Sequence, residues 1–311
     1  MPKQLVDDET FIQMFSQLGA SQMANHLNTN ESSIFKRRRR LEEKYDRPIH
    51  APSKSPTDFH PERREFEIKN GNIFVASDAH YWPDEISTAH RAFIKVIKEM
   101  KPKAVVLNGD VLDGATISRH PSIQWEDSPT VADELEACEI RLDEIQKAAK
   151  KAKLFWTLGN HDARFESRLA TVAQEFVNVK GVRLKDHFPK WLGSWSLLVN
   201  NSVMIKHRFK GGIHATHNNT VTSGMSMVTG HLHSLKVTPW ADYHGTRWGV
   251  DTGTLADTHG PQFRNYMEDN PRNWRSGFAI LTFENGELRW PELVHVTQPG
   301  CYEFRGKTFS V

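Results

Sequence analysis

The sequence predicts an α/β chain with a small all-α segment at its N-terminus, and three observations carry that reading. From residue 72 to 158, short apolar runs alternate with longer stretches of helical spacing, the pattern of parallel strands joined by right-handed helical crossovers. Carboxylates and imidazoles follow those apolar runs directly, and the carboxyl ends of parallel strands are where ligands gather. Residues 8–47 show helical spacing alone, and Pro48, Pro52, Pro56 and Pro61 separate them from the remainder.

The N-terminal segment reads as three short helices. Phe11, Phe15 and Leu18 recur at i, i+4, i+7. Gly19 punctuates, Met23 and Leu27 make a second apolar face, and Ala24 is small enough for two helices to approach there. Asn28-Thr29-Asn30 predicts a turn and an N-cap. A third helix follows, with Ile34, Leu41 and Tyr45 on one face and the five cations Lys36, Arg37, Arg38, Arg39 and Arg40 over much of the rest. Helix, tight turn and basic helix resemble, over about 40 residues, the small DNA-binding helix-turn-helix of many bacterial and phage proteins. The resemblance implies that Lys36–Arg40 contact nucleic acid, DNA ahead of RNA; it allows a homodimer, though the sequence leaves the oligomeric state open. The competing reading is a small helical docking or dimerisation module whose cations form a solvated face; Glu42, Glu43 and Asp46 dilute the basic signal. Residues 48–65 then suit an extended linker, and a second domain occupies residues 66–311.

In that domain residues 72–77, 104–108 and 154–158 read as strands, with Val105, Val106 and Leu107 buried on both sides. Residues 87–100 and 130–151 read as helices. The C-terminal half is richer in strands: 195–199 and 202–206 flank Asn200-Asn201, while 278–283 and 288–296 flank Asn285-Gly286, both hairpin signals.

The whole-chain balance excludes several classes. Net charge is +2, too close to zero to indicate a partner. Cys138 and Cys301 are too few for a disulfide framework and lack metal-ligand spacing, so both read as reduced, buried thiols. No apolar run could span a bilayer, and the N-terminus lacks a signal-peptide core. The expected location is the cytoplasm of a bacterium or a phage-infected host, with no membrane partner.

The chemistry lies in separated motifs. Asp78 and His80 stand at i, i+2 after a strand, a same-face spacing that suits one ion. Asp110 follows Gly109, which permits close backbone approach, and its two oxygens could bridge two cations. Asp113 either supports a ligand from behind or caps a turn. Gly159-Asn160-His161-Asp162 offers a neutral amide oxygen, a candidate proton donor in His161, and a carboxylate in Asp162 that could orient that imidazole. Gly230-His231-Leu232-His233 offers two imidazoles, and His207 one more, with His214 and His217 close enough in sequence to replace it. The run Gly253-Thr254-Leu255 reads as a loop near the site. Arg164 reads as a phosphate contact or a surface salt bridge, and Arg119-His120 as a loop that could reach substrate.

In this order the set Asp-x-His, Gly-Asp-x-x-Asp, Gly-Asn-His-Asp, His, Gly-His-x-His resembles the calcineurin-like metallophosphoesterase superfamily, over roughly residues 66–300. The resemblance implies a four-layer αββα sandwich in which two mixed sheets pack face to face with helices outside. It implies one metal on Asp78, His80, Asp110 and His233, a second on Asp110, Asn160, His207 and His231, and His161 as general acid with Asp162 beside it. Two divalent ions about 3.5–4 Å apart can activate water and clamp both attacking and leaving oxygens. Asp, His and Asn without thiolate suit Mn²⁺ first, then Fe, Zn²⁺ or Ni²⁺, over Ca²⁺.

Three departures narrow the reading. Arg208 follows His207 where the family usually has Gly, and Asp162 stands where Glu is common. Gly114-Ala115 stands where protein Ser/Thr phosphatases have Arg-Gly, which argues against a phosphoprotein substrate. The leading expectation is a two-metal phosphodiesterase or nuclease acting on nucleic acid. The alternatives are a phosphomonoesterase or small-nucleotide diesterase, and a DNA-binding regulator with a vestigial phosphoesterase fold.

Overall fold

The computed structural model describes residues 6–51, 60–120, 128–267, 269–270 and 272–311. Pro52 and Pro56 of the expected linker lie outside those residues. The chain divides into two compact units, Met1–Phe59 and His60–Val311.

In the first unit, α1 (Asp8–His26) is capped by Asp7, whose carboxylate accepts the Thr10 N–H at 2.8 Å. At Gly19 the backbone leaves helical values (φ 71°, ψ 177°), so α1 is two segments joined at the residue expected to punctuate them. Asn30 caps α2 (Glu31–Tyr45) by accepting the Ser33 N–H at 2.9 Å. Phe11, Phe15, Met23, Ala24, Ile34, Leu41 and Ile49 form the core. Tyr45, expected on that inward face, is exposed, its ring instead 5.0 Å from Lys44 Nζ.

The five cations divide. The Arg37 guanidinium lies over the Phe11 ring and donates to the Val6 carbonyl at 2.6 Å and to Asp8. Arg38 lies over Phe15 and Phe35 and pairs with Glu42. Both are half-buried, whereas Lys36, Arg39 and Arg40 are exposed. Those three stand at i, i+3, i+4, neighbours on one helix face.

The second unit begins with β1 (Arg64–Phe66) and β2 (Gly71–Ala76), followed by α3 (Thr88–Met100), β3 (Ala104–Leu107), α4 (Val131–Ala148) and β4 (Lys153–Thr157). Next come α5 (Asp162–Val172), α6 (Leu184–His187), β5 (Leu192–Ser194), β6 (Leu197–Val199) and β7 (Val203–Ile205). After α7 (Ala215–Ser223) come β8 (Ser226–Thr229), β9 (Lys236–Asp242), β10 (Gly245–Asp251) and α8 (Arg264–Met267). The chain ends in β11 (Gly277–Glu284), β12 (Glu287–Leu288), β13 (Glu292–Gln298), β14 (Cys301–Phe304) and β15 (Lys307–Ser310).

Both expected hairpin turns form: Asn200, Asn201, Asn285 and Gly286 all have positive φ, the backbone that a primed two-residue turn requires. Residues 288–296 are not one strand, however. β12 ends at Leu288 and β13 starts at Glu292, because Pro291 lacks the N–H that would continue the ladder.

The strands form two mixed sheets. One runs β1-β6-β7-β8-β10-β9, the other β15-β14-β13-β11-β2-β3-β4-β5 with β12 beside β11. Alternation along β2 sorts its side chains. Ile73 and Val75 face the other sheet and join Phe155, Ile205 and Val228 in the inter-sheet core. Phe74 and Ala76 turn outward against Phe93, Ile97, Leu142 and Ile145 of α3 and α4. Of the two cysteines expected inside, Cys138 on α4 is buried, whereas Cys301 is only partly so, since β14 lies beside the edge strand β15. α7 packs on the outer side of the other sheet, against β8, β9 and β10. The result is the four-layer αββα sandwich. β2, β3 and β4 are mutually parallel, as are β7, β8 and β10, and every motif follows the carboxyl end of one of these strands.

Candidate metal centre

The loops after β2, β3 and β4 are laced to one another. Asp78 N–H donates to the Gly109 carbonyl at 2.8 Å and His80 N–H to the Asp110 carbonyl at 3.0 Å. Asn108, fully buried, takes the Thr157 hydroxyl at 2.6 Å, and its carbonyl accepts His207 Nδ1–H at 2.8 Å. That last bond joins the two sheets at the site and leaves His207 Nε2 facing inward.

Asp78 and His80 do not sit on a strand, and alternation is not what converges them. Asp78 (φ 53°), His80 (φ 39°), Asp110 (φ 52°), His231 (φ 70°) and His233 (φ 55°) all adopt left-handed backbone. Such residues are uncommon outside glycine and cluster at functional sites. The preceding glycines are needed for close approach. A Cβ on Gly159 would run into Asp110 Oδ1, and one on Gly230 would lie 2.5 Å from Ser77 Oγ and 2.6 Å from Asp78 Oδ2.

Among the described residues, three groups offer ligand atoms within 4.8 Å of one another: Asp78, His80 and His233; His80, Asp113 and His161; and Asp110, His207 and His231. The first and third are made of residues expected as ligands, and the second joins His80 to the expected acid His161 through Asp113. His207 Nε2 spans the first and third, 3.0 Å from Asp110 Oδ2 and 3.9 Å from Asp78 Oδ1. His214 and His217 are elsewhere: His214 is exposed and His217 packs on Trp240 at 5.1 Å. Among the described residues, Asn160 Oδ1 and His233 Nδ1 are buried without a hydrogen-bond partner, a costly arrangement that coordination of a cation would relieve. The electrostatics point the same way. Burial opposes charge on Asp78 and Asp110, yet neighbouring imidazoles outweigh it and hold both below the carboxylate range. Burial likewise opposes charge on His207, but Asp110 and Asp78 raise its pKa. Two buried carboxylates draw in positive charge, and divalent cations fit that demand.

The residues around the ligands divide their tasks differently from expectation. Asp162 does not orient His161. Its buried carboxylate accepts five N–H groups: Asp110, Gly159 and Trp156 Nε1 on Oδ2, and Val111 and Leu112 on Oδ1, all at 2.8–3.1 Å. It is the strut of the Asp110 loop. Asp113 does the orienting: Oδ1 lies 2.7 Å from His80 Nδ1 and 3.2 Å from His161 Nδ1, and its carbonyl is 2.7 Å from His161 Nδ1. Arg164 forms no salt bridge there; it donates to the Asp113 carbonyl at 3.0 Å and lies 3.2 Å from His161 Nε2. Burial lowers the His161 pKa, but the bond to Asp113 and the charge of Asp110 outweigh it, so the net shift is upward.

Other supports carry little sequence signal. Glu134, on α4, accepts the Gly114 and Ala115 N–H groups at 2.5 and 3.0 Å. Burial and the charge of Asp113 raise its pKa to about 7. Asp251 accepts from Ser234 and Gly253 and so fixes the turn after His233. The Gly253 run does more than border the site: Thr254 Oγ1 donates to the Asp78 carbonyl at 2.6 Å. Its signal was Thr, whose hydroxyl can serve a neighbouring loop.

The family model for calcineurin-like phosphoesterases matches residues 71–248, more than half of the chain. The Gene 54 proteins of Mycobacterium phages L5 and D29 are 25% and 23% identical over 265 residues, 77% of this chain and 98% of each relative. Among solved structures, Vps29 of Entamoeba histolytica complexed with Zn²⁺ aligns with TM-score 0.41 and 12% identity, covering 77% of this chain and 98% of that one. A dimetal phosphatase from Danio rerio aligns with TM-score 0.39 and 10% identity, covering 78% and 99%. With the family's motifs gathered where the strand ends of the two sheets meet and its model matched across them, the chain belongs to the calcineurin-like phosphoesterases.

Proposed function

We propose that this protein is a two-metal phosphodiesterase acting on nucleic acid, DNA ahead of RNA, inside a phage-infected bacterial cell. The observation that carries the chemistry is the pair of carboxylate–imidazole groups linked by His207, with the Asn160 oxygen left unpaired beside them. A complete donor set also disfavours a vestigial site in a regulator. Asp78, His80, Asp110 and His233 would hold one divalent cation, and Asp110, Asn160, His207 and His231 the other. Bound there, the cations supply Lewis acidity toward phosphate oxygens and water, and Mn²⁺ suits the donors. His161 holds the proton for the departing oxygen; its backbone N–H bonds Asp110 Oδ1 at 2.8 Å, so acid and ligand are set in one frame.

The polymer substrate is supported by Lys36, Arg39 and Arg40 on the exposed face of α2. Purified with Mn²⁺, the protein should hydrolyse bis(p-nitrophenyl) phosphate in preference to p-nitrophenyl phosphate and should cleave labelled single- or double-stranded DNA. Monoester preference with no strand cleavage would refute the reading.

Two further outcomes are expected. His161→Ala should lower turnover by about 10²–10⁴-fold while metal content, measured by elemental analysis, stays at two ions; loss of metal would make His161 a ligand. Replacing Lys36, Arg39 and Arg40 together by Ala should weaken DNA binding and reduce the slope of log affinity against log salt by about 2–3. Arg37→Ala should instead loosen the helical unit, visible as earlier thermal loss of helix. Unchanged affinity in the triple variant would make that face merely solvated.

A further inference from the structure

Two aromatic residues outside every motif stand against the ligands. The Phe263 ring lies 5.2 Å from His80 and 5.4 Å from His233, and the Trp274 ring lies 4.6 Å from His233 and 5.1 Å from Phe263. Phe263 is buried; Trp274 is partly exposed, so the indole is the outer member of the wall. Its segment is tied to the ligand loop, since Arg275 N–H donates to the His233 carbonyl at 2.7 Å and the Arg275 guanidinium to the Trp274 carbonyl at 2.8 Å. The exposed Arg272 guanidinium is 6.0 Å from the indole centroid, and Arg275, also exposed, follows Trp274 in the chain. A wall that only shielded His233 from water would not need an indole that is itself partly in solvent with a guanidinium close to its ring. A flat aromatic face next to a candidate metal centre, with arginine beside it, has the chemistry that receives a base and its attached phosphates.

We infer that Trp274, backed by Phe263, stacks the base of a nucleotide whose phosphate lies at the cation that Asp78, His80 and His233 would hold. This rests on the phosphodiesterase reading above and adds what that reading lacks, a contact to the base within the catalytic unit. Stacking is tolerant of base identity, so the wall selects nucleotides over other diesters without selecting a sequence.

The test compares two diesters with the same leaving group, the p-nitrophenyl ester of thymidine 5′-monophosphate and methyl p-nitrophenyl phosphate. In the full chain with Mn²⁺, Trp274→Ala should lower kcat/KM for the thymidine ester roughly 5- to 100-fold, mainly through KM. The loss on the methyl ester should be several-fold smaller, and Trp274→Phe should recover most of the loss on the thymidine ester. As a binding readout, thymidine 5′-monophosphate should quench wild-type indole fluorescence more than that of Trp274→Phe. Equal losses on both esters, or none on either, would overturn the assignment. If the wild type fails to turn over the methyl ester, the phosphodiesterase reading falls instead, and quenching by the nucleotide then decides the stacking role: quenching that Trp274→Phe lacks upholds it, and none overturns it.

Discussion

Asp110→Asn is expected to remove more than about 100-fold of the turnover, since even partners one step behind a metal ligand are worth about 10–100-fold. The position is central on three counts. Asp110 Oδ2 lies 3.0 Å from His207 Nε2, Oδ1 accepts the His161 N–H at 2.8 Å, and the side chain is buried. Its carboxyl sits well below the usual range because His207, His161 and His80 outweigh the cost of burial. Asparagine keeps the shape and can still accept from His161, but it loses the charge and can no longer offer two equivalent anionic oxygens. Kinetics on bis(p-nitrophenyl) phosphate across a Mn²⁺ titration, with metal content by elemental analysis, measures the loss. The variant should bind fewer than two ions and should not recover at saturating Mn²⁺. Near-normal turnover with both ions retained would take Asp110 out of the centre.

Asp162→Asn should fail for a different reason. The wild-type carboxylate accepts five N–H groups in a site from which water is excluded. An amide turns one of those acceptors into a donor, so at least two N–H groups face another N–H or nothing. Each such buried donor costs about 1–3 kcal/mol, giving a loss of about 3–5 kcal/mol, or on the order of 10 °C in melting temperature for a unit this size. Calorimetry of the full chain, following the transition of the catalytic unit, measures it. The two variants should separate cleanly: Asp110→Asn inactive at nearly normal stability, Asp162→Asn unstable, with activity lost as its Asp110 loop loosens. An unchanged melting temperature would mean that the N–H groups find other acceptors.

What could be read from sequence here follows a physical line. Ligand types after apolar runs were legible because parallel strands in a sheet deliver their carboxyl ends to a common edge, as β2, β3 and β4 do in one sheet and β7 and β8 in the other. Asn285-Gly286 and Asn200-Asn201 were legible because few residues accept their dihedrals. Adjacency misled at Asp162: as the first residue of α5 its side chain turns back into the Asp110 loop, while Asp113, far off in sequence, meets His161. The hairpin β9–β10 was missed since β9 is an edge strand carrying Pro239 and almost no buried side chain. The choice of His207 over His214 and His217 needed topology, because β7 ends at the site and α7 leads away from it. Phe263 and Trp274 carried no signal, being aromatic residues in irregular chain.

The left-handed backbone at Asp78, His80, Asp110, His231 and His233 has a consequence for how this centre can change over evolutionary time. Asn, Asp and His are the residues other than glycine that enter that region most readily, and they are also good donors to hard and borderline cations. Here the alphabet of the turn and the alphabet of the ligand coincide. Glutamate coordinates as well as aspartate but lacks the short side chain that suits this backbone, and cysteine brings the wrong softness. Drift at these five positions is therefore confined to a three-letter vocabulary by two independent filters. Variation between relatives should concentrate instead on the segments that surround the centre, where substrate is chosen.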